Sequence, residues 1–277
     1  MSQTVEIRWR GRPVQLELRW VPETGLPGLP GMPGAPAAAP RAAPAPLIVF
    51  LHEGLGSVSM WRDFPDRLCR AVGARGLVYS RPGYGRSTPR APDEAWSVDF
   101  MHQQAHEVLP ALLQALKVDP AQERLLLFGH SDGGSIALLF AAHPAARLAG
   151  LIVMAPHIRV EPLSIASIEK ARTDYLETDL RQRLSRHHDD PDSAFWGWND
   201  VWLHPPFRQW TIEPEIGSIS CPVLAIQGLD DEYGTLEQIR GIARRVPQTR
   251  LLEIPQCGHS PHRDQPDIVI AAVRSFL

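Results

Sequence analysis

Short apolar runs alternate with segments of helical periodicity along most of the chain. Continuous apolar runs of four or five residues are typical of strands buried on both faces, whereas apolar residues three and four apart indicate helices. After the N-terminal region, the predicted strands are Leu47–Leu51, Leu77–Ser80, Leu125–Phe128, Leu151–Met154, Val223–Ile226 and Leu251–Ile254. The predicted helices are Trp61–Val72, Phe100–Leu116, Ser135–Ala142, Leu236–Val246 and Ile268–Phe276. This order predicts an α/β fold with a mainly parallel, doubly wound sheet.

The N-terminal region has a different pattern. Val5–Trp9 and Val14–Trp20 alternate polar and apolar residues, which predicts an antiparallel hairpin that turns around residues 11–13. Residues 22–46 are almost entirely proline, glycine and alanine. Proline removes backbone donors and the segment has little apolar bulk to bury, so we expect a flexible loop. A proline-rich docking segment is the alternative.

A second interruption lies between the sixth and seventh predicted strands. We expect residues 157–216 to form a helical cap inserted after strand 6, and residues 1–156 and 217–277 to form the core domain. Six large aromatic residues fall within sixteen positions of the cap: Phe195, Trp196, Trp198, Trp202, Phe207 and Trp210. Such side chains often line small-molecule pockets, so Trp196, Trp198 and Trp202 are candidate substrate-binding residues. Packing of the cap onto the core is the alternative.

Composition narrows the classes of function. The 277 residues are 44% hydrophobic and 21% charged, and the net charge of −3 offers no basic surface to nucleic acid or to an anionic membrane. Three scattered cysteines, Cys69, Cys221 and Cys257, predict neither a disulfide framework nor a zinc site. The chain shows no signal-peptide pattern at its N-terminus and no apolar run of about 18 residues. We therefore expect a cytoplasmic protein that acts on a small molecule, and the oligomeric state stays open.

The most informative segment is residues 125–134. An apolar strand leads directly into Gly129-His130-Ser131-Asp132-Gly133, and a helix follows. A sharp strand-to-helix turn needs small residues on both sides of its apex, and it exposes the central hydroxyl at a helix N-terminus. Ser131 is therefore the candidate nucleophile, and a turn with a capping serine is the alternative.

A serine hydroxyl needs a base, and the base needs an orienting carboxylate. Two later strand ends supply them in the chain order that this fold class uses, with Asp230 and Asp231 after one strand and His259 after the other. His262 is the serious rival for the base. His52, His130 and His157 lie at strand ends but before or beside the nucleophile or on an early element, and His187 and His188 lie in a polar run that indicates a solvated loop.

Together these blocks resemble the α/β-hydrolase superfamily from about residue 48 onward. The resemblance rests on Phe50–Gly56, Arg81–Ser87, Gly129–Gly134, and Gly228–Asp231 with Gly258–His259. The acid of this family usually stands three residues after the strand-ending glycine, which selects Asp231. The resemblance implies a catalytic triad of Ser131, Asp231 and His259. It also implies an oxyanion hole made by the backbone N–H groups of Gly54 and Asp132.

The chain departs from the family pattern where relatives commonly have His-Gly-Gly and this chain has His52-Glu53-Gly54. Glu53 could fix the loop through an ion pair or hydrogen bond, or it could contact the substrate together with Leu55. The resemblance implies ester hydrolysis without a metal or organic cofactor. Carbon–carbon bond hydrolysis of an aromatic-derived diketone and non-catalytic binding are the alternatives. Halide displacement and epoxide opening are disfavoured because relatives that perform them carry aspartate at the position of Ser131.

Overall fold

All the predicted strands come together in a single eight-stranded sheet. The structure is a computed structural model that describes residues 2–22, 45–91 and 93–277. The strands are β1 (Gln3–Trp9), β2 (Arg12–Val21), β3 (Leu47–Leu51), β4 (Arg75–Tyr79), β5 (Leu125–His130), β6 (Gly150–Met154), β7 (Val223–Gly228) and β8 (Thr249–Ile254). Their order across the sheet is β1-β2-β4-β3-β5-β6-β7-β8. The six strands from β3 to β8 are mutually parallel, and β1 and β2 are antiparallel additions at one edge.

The hairpin turns one residue earlier than the sequence predicted. Trp9 pairs with Arg12, so the turn consists of Arg10 and Gly11, and Pro13 already lies in β2 opposite Arg8. Arg10 and Gly11 both have positive φ, at 50° and 76°, as a two-residue turn with right-handed strand twist requires. The predicted loop at 22–46 lies almost wholly outside the described residues.

The continuous apolar runs arise because the parallel strands are covered on both faces. In β3, Leu47, Val49 and Leu51 belong to one hydrophobic cluster, and the alternate residues Ile48 and Phe50 belong to the other. All five side chains are fully buried. Side chains of a strand alternate between faces, so a strand with two buried faces has no position for a polar residue.

Helices cover the two faces of the sheet. Their bounds are α1 (Phe64–Val72), α2 (Phe100–Gln103), α3 (Leu109–Ala115), α4 (Asp132–Ala142), α5 (Pro162–Glu177), α6 (Leu180–Leu184), α7 (Pro191–Leu203), α8 (Glu213–Ile216), α9 (Glu237–Arg245), α10 (Pro261–Asp264) and α11 (Pro266–Phe276). Short 3₁₀ helices lie at Val58–Trp61 and Pro205–Gln209. Helices α1 and α11 contribute to one hydrophobic cluster, and α3, α4 and α9 contribute to the other. No helix among the described residues is long and apolar enough to cross a membrane.

The helix predicted at Phe100–Leu116 contains one wide turn. A π-helical segment, Gln104–Val108, joins α2 to α3. Pro110 follows it and has no backbone N–H to donate to the carbonyl of His106, which removes one regular helical hydrogen bond at this point. The sequence pattern showed the apolar face of this helix but not the extra residue in the turn.

The stretch predicted as a cap is helical and lies between β6 and β7. It contains α5, α6, α7, the 3₁₀ helix Pro205–Gln209 and α8. We call residues 157–216 the inserted segment. An isolated bridge between Arg159 and Thr211 joins its two ends, so the segment leaves and re-enters the sheet at neighbouring points. The division of the chain into a core domain and a cap domain stays a prediction.

Candidate active site

The turn after β5 holds Ser131 in a strained conformation. Its φ is 53° and its ψ is −121°, a combination that side-chain-bearing residues rarely adopt. The backbone around it is tied down by hydrogen bonds, because Ser131 N–H donates to Met154 O at 2.9 Å and Ser131 O accepts from Gly134 N–H at 2.8 Å. The Ser131 side chain therefore stands at the junction of β5 and the N-terminus of α4.

Glycine is required on both sides of this turn. A Cβ on Gly129 would collide with Gly133 O, and a Cβ on Gly133 would collide with Leu51 O. These obstacles are backbone atoms, which cannot rotate out of the way as a side chain can. The Gly-x-Ser-x-Gly pattern thus reflects close approach of three backbone segments.

Ser131, His259 and Asp231 form a continuous hydrogen-bonded chain. His259 Nε2 lies 2.9 Å from Ser131 Oγ, and His259 Nδ1 lies 2.8 Å from Asp231 Oδ1. Burial alone would lower the pKa of His259, but the charge and hydrogen bond of Asp231 outweigh burial and raise it above its ordinary value. The neighbouring Asp230 is exposed and takes no part in this chain.

Asp231 is oriented by three further donors. Its Oδ1 accepts from the backbone N–H groups of Tyr233 at 2.9 Å and Gly234 at 3.3 Å, and its Oδ2 accepts from Gln227 Nε2 at 3.1 Å. Burial opposes ionisation of Asp231, but the charge and hydrogen bond of His259 and the bond from Tyr233 keep its pKa below the ordinary value. Asp231 is therefore an anion whose direction is fixed before any substrate arrives.

The loop that carries Asp231 can touch the loop that carries His259 because residue 228 is glycine. A Cβ on Gly228 would collide with Cys257 O, and Asp230 N–H donates to that same carbonyl at 3.0 Å. This close approach brings the ends of β7 and β8 together. It lets two residues 28 positions apart in the chain share a hydrogen bond.

The main chain of His259 is held on both sides by side chains. Its N–H donates to Glu232 Oε2 at 3.1 Å, and its carbonyl lies 2.7 Å from His130 Nε2. A carbonyl only accepts, so His130 Nε2 is the donor of this hydrogen bond. His130 directly precedes Ser131, and this contact therefore joins the nucleophile turn to the histidine loop. No motif in the sequence indicates this role of His130.

Glu53 turns towards this same group of residues. Its Oε2 lies 3.4 Å from His130 Nδ1 and its Oε1 lies 3.5 Å from Arg263 Nη2. Burial would raise the pKa of Glu53, but His130 and Arg263 hold it well below its ordinary value. These contacts favour the loop-fixing role of Glu53 over substrate contact.

His262, the rival candidate for the base, packs against Trp61, with ring centroids 5.0 Å apart.

The loop after β3 is fixed through the carbonyl of Glu53. That oxygen accepts from His52 Nδ1 at 2.7 Å, from Arg81 Nη2 at 2.8 Å and from Gly56 N–H at 3.0 Å. The C=O and N–H of one trans peptide point in opposite directions, so this also fixes the direction of the Gly54 N–H. Neither Gly54 N–H nor Asp132 N–H has an acceptor among the residues that the structure describes.

Two tryptophans of α7 cover the candidate oxyanion residues. Trp202 Nε1 donates to Asp132 Oδ1 at 3.2 Å, and the five-membered ring of the Trp198 indole lies against Gly54. A Cβ on Gly54 would collide with Trp198 Nε1 and would lie 2.5 Å from Cδ1 and 2.9 Å from Cε2 of the same ring. The inserted segment therefore reaches both residues.

Trp196, predicted to line the same site, lies elsewhere. Its ring packs against Tyr175 and under the guanidinium of Arg172, and it borders a surface groove shared with Arg90 and Asp200. Successive residues of a helix are rotated by about 100°, so Trp196 is about 200° away from Trp198 on α7. The structure therefore does not bring Trp196 together with Trp198 and Trp202, and its role in substrate binding stays a prediction.

The prediction that His188 lies in a solvated loop is wrong, because its side chain is buried. Its Nδ1 accepts from Gly85 N–H at 2.9 Å and its Nε2 donates to Leu55 O at 3.0 Å. His188 thereby ties the inserted segment to the β3 loop. Leu55, also predicted to contact substrate, is half-buried against the larger hydrophobic cluster.

Asp132 is a buried carboxylate beside the nucleophile. Burial raises its pKa to about 6, although Arg81 acts in the opposite direction. Arg81 Nη2 stays 4.0 Å from Asp132 Oδ2, which is too far for a hydrogen bond. Burial likewise lowers the pKa of His157, beside Trp202, to about 3, so His157 is neutral at physiological pH.

A cavity of about 600 Å³ elsewhere in the molecule contains none of these groups. It lies between α3 and α4, and its walls include Leu113, Phe140 and His143. Cavity size alone would place a ligand there. The strained serine, the hydrogen-bonded histidine and the oriented carboxylate instead mark the carboxyl ends of β5, β7 and β8 as the candidate active site.

Comparison with known proteins agrees with this geometry at the level of the family. The family described as "Alpha/beta hydrolase family" matches residues 48–272. The chain belongs to the α/β-hydrolase family, and its mainly parallel sheet with an insertion after β6 is the fold of that family.

Individual relatives are distant. The chain is 26% identical to the sn-1-specific diacylglycerol lipase ABHD11 of Mus musculus over 263 residues, which cover 85% of this chain and 82% of the lipase. It is 24% identical to 2-hydroxy-6-oxo-6-phenylhexa-2,4-dienoate hydrolase of Burkholderia cepacia, with 83% and 87% covered. The crystal structure of proline iminopeptidase from Mycobacterium smegmatis superposes with a TM-score of 0.72 at 18% identity, covering 100% of this chain and 97% of that one. These similarities support a hydrolase.

Proposed function

We propose that this protein is a serine hydrolase that cleaves a carboxylic ester, or a related acyl bond, of a small apolar or aromatic substrate. One observation carries the proposal: Ser131 Oγ lies 2.9 Å from His259 Nε2, and Asp231 orients the other nitrogen of that imidazole. A hydroxyl becomes an effective nucleophile when a base within hydrogen-bond reach removes its proton.

The reaction follows from this chain of groups. Ser131 Oγ attacks the carbonyl carbon while His259 takes the hydroxyl proton, and Asp231 stabilises the imidazolium that forms. His259 then gives the proton to the leaving alcohol, and an acyl-enzyme remains on Ser131. Water attacks that ester by the same route in reverse and releases the acid.

The negative charge on the carbonyl oxygen needs hydrogen-bond donors. We assign this role to the backbone N–H groups of Gly54 and Asp132, whose directions are set by the pinned Glu53 carbonyl and by the start of α4. Loss of one such donor typically costs about 10²–10³ in turnover.

The surroundings of His259 support an apolar or aromatic substrate. The ring of Tyr233 lies 4.7 Å from the imidazole, and the indoles of Trp198 and Trp202 lie against Gly54 and Asp132. Aromatic walls with a few convergent polar groups are typical of small-molecule sites. Glu53 is tied to His130 and Arg263, so we assign it to the loop and not to the substrate.

Carbon–carbon bond hydrolysis is the second candidate. The relative from Burkholderia cepacia is a 2-hydroxy-6-oxo-6-phenylhexa-2,4-dienoate hydrolase, and this chain covers most of its length. The same nucleophile and base would serve such a reaction, so the choice between the two rests on substrate assays.

The experiment has two parts. A fluorophosphonate probe should label the wild-type protein and the control variant Ser185→Ala, whose hydroxyl is exposed and distant in sequence, and it should fail on Ser131→Ala. Equal labelling of Ser131→Ala would refute the proposal. p-Nitrophenyl esters of increasing acyl length are then compared with the phenyl-substituted oxo-dienoate. Faster turnover of the dienoate than of every ester would favour the second candidate.

A further inference from the structure

The indoles of Trp198 and Trp202 each contact one of the two candidate oxyanion residues. They are four positions apart on α7 and so lie on the same side of the helix, one turn apart. Trp202 meets Asp132, and Trp198 meets Gly54. The two side chains differ in how their N–H groups are used.

The indole N–H of Trp202 donates to an acceptor within the protein, and that of Trp198 does not do so among the residues that the structure describes. Trp202 Nε1 donates to Asp132 Oδ1 at 3.2 Å. Trp198 is 6% exposed, and within residues 2–22, 45–91 and 93–277 its Nε1–H has no acceptor. A ligand oxygen that accepts from this N–H would use a donor for which no protein acceptor competes.

The indole nitrogen of Trp198 lies close to Gly54, one of the two candidate oxyanion residues. Of the ring atoms of Trp198, Nε1 is the nearest to where a side chain on Gly54 would begin. Gly54 supplies the backbone N–H that the pinned Glu53 carbonyl directs away from His52 and Arg81. The indole nitrogen is therefore close to the residue whose backbone N–H would bind a carbonyl oxygen.

We propose that Trp198 Nε1–H is a third hydrogen-bond donor to the oxygen that becomes the oxyanion. This rests on the proposed ester hydrolysis. When Ser131 Oγ bonds to the carbonyl carbon, the π electron pair moves to that oxygen and the serine proton moves to His259. Trp198 donates a hydrogen bond without giving up its proton, and collapse restores the carbonyl and expels the alcohol with the proton from His259.

The three proposed donors come from different parts of the fold. Two donors come from the β3 loop and the start of α4, whereas the third comes from α7. Complete stabilisation of the oxyanion thus requires α7 in the position that the structure shows. The inserted segment would then contribute to the chemical step in addition to shaping the site.

The first test removes the N–H and keeps an aromatic ring. Trp198→Phe should lower kcat by about 10²-fold with little change in KM, because a transition-state donor is lost. Trp210→Phe also removes an indole N–H from the inserted segment, but Trp210 packs against Phe207, so this variant is the matched control and should keep the wild-type kcat. A wild-type kcat for Trp198→Phe would overturn the proposal.

A second comparison separates donation from packing. A trifluoromethyl ketone forms a tetrahedral oxyanion adduct with the serine, whereas the corresponding secondary alcohol binds without one. Trp198→Phe should weaken the ketone by about 10²-fold and leave the alcohol unchanged. Equal weakening of both ligands would show that Trp198 only packs.

A third measurement uses the wild-type protein and does not depend on folding of the variant. Eight indole signals are expected for the eight tryptophans after selective ¹⁵N labelling. The ketone should move the Trp198 signal downfield, and the alcohol should not. Absence of any such ketone-specific shift would overturn the proposal. Failure of the fluorophosphonate to label Ser131 would instead refute the hydrolase assignment itself.

Discussion

Gly54→Ala tests the packing of the inserted segment against the β3 loop. The added Cβ would lie 2.5 Å from Cδ1 and 2.9 Å from Cε2 of Trp198. Carbon atoms in contact are separated by about 3.5 Å or more, so the indole has to retreat by about 1 Å. Overpacking of this kind costs about 1–3 kcal/mol of unfolding free energy. A displacement of about 1 Å at a reacting centre can also cost about 10²-fold in turnover.

A double-mutant cycle identifies the contact responsible. Urea unfolding and kcat are measured for Gly54→Ala, Trp198→Ala and the double variant. The alanine at 54 should destabilise the wild-type background and have almost no effect on stability in the Trp198→Ala background, because the obstacle is gone. Gly217→Ala, whose added Cβ would meet only one atom at 4.0 Å, is the control and should remain stable. Strict additivity of the two destabilisations would refute the reasoning.

Three further predictions concern ionisable groups. The acid limb of the kcat/KM–pH profile should lie above the ordinary histidine pKa, because activity needs neutral His259 and the pKa of His259 is raised. Asp231→Asn should move that limb to lower pH and reduce kcat by about 10⁴-fold, because the charge of Asp231 helps to raise the pKa of His259. Glu53→Gln should also move the limb to lower pH, since Glu53 helps to raise the pKa of His259; an unchanged limb would contradict the placement of Glu53. Asp132→Asn should stabilise the protein at pH 8 by up to about 3 kcal/mol in urea unfolding, since a pKa raised from 3.8 to about 6 means that the buried charge opposes folding above that range. The gain should vanish below about pH 3, where the carboxyl is protonated in both states, and a gain that is the same at both pH values would contradict this.

Much of the architecture could be predicted because buried parallel strands leave a strong pattern. Leu47–Leu51 and Leu125–Phe128 are apolar at every position, since both faces of these strands are covered. The strand-to-helix turn at Ser131 could also be predicted, because Gly129 and Gly133 are required by backbone collisions that only glycine avoids. Positions at the ends of successive parallel strands meet at one edge of the sheet, so the candidate triad could be assembled from chain order.

Contacts between distant segments left no local signal. His188 reads as part of a charged loop, but its ring is buried between Gly85 and Leu55, more than 100 positions away along the chain. The same holds for His130, whose acceptor, the carbonyl of His259, lies 129 positions later. Sequence patterns report on burial and periodicity, and neither quantity specifies which distant carbonyl a buried imidazole will meet.

The position of Trp196 on a different side of α7 could have been predicted, because the sequence contains a usable signal. The helical repeat of about 3.6 residues separates Trp196 from Trp198 while it keeps Trp198 and Trp202 on one side. The sequence analysis groups the three tryptophans by type and not by helical position, and so it places Trp196 with two residues from which the helical repeat separates it. The direction of the Glu53 side chain had no such signal, since it depends on Arg263 and His130 arriving from other elements.

The most direct test of the central claim is to trap the acyl-enzyme. The protein is mixed with a p-nitrophenyl ester and quenched in acid within the pre-steady-state burst, and the acylated peptide is identified by tandem mass spectrometry. The account predicts one acyl group per chain, attached to Ser131, and none in Ser131→Ala. Turnover of the ester without any adduct on Ser131, or an adduct on another residue that persists in Ser131→Ala, would contradict it.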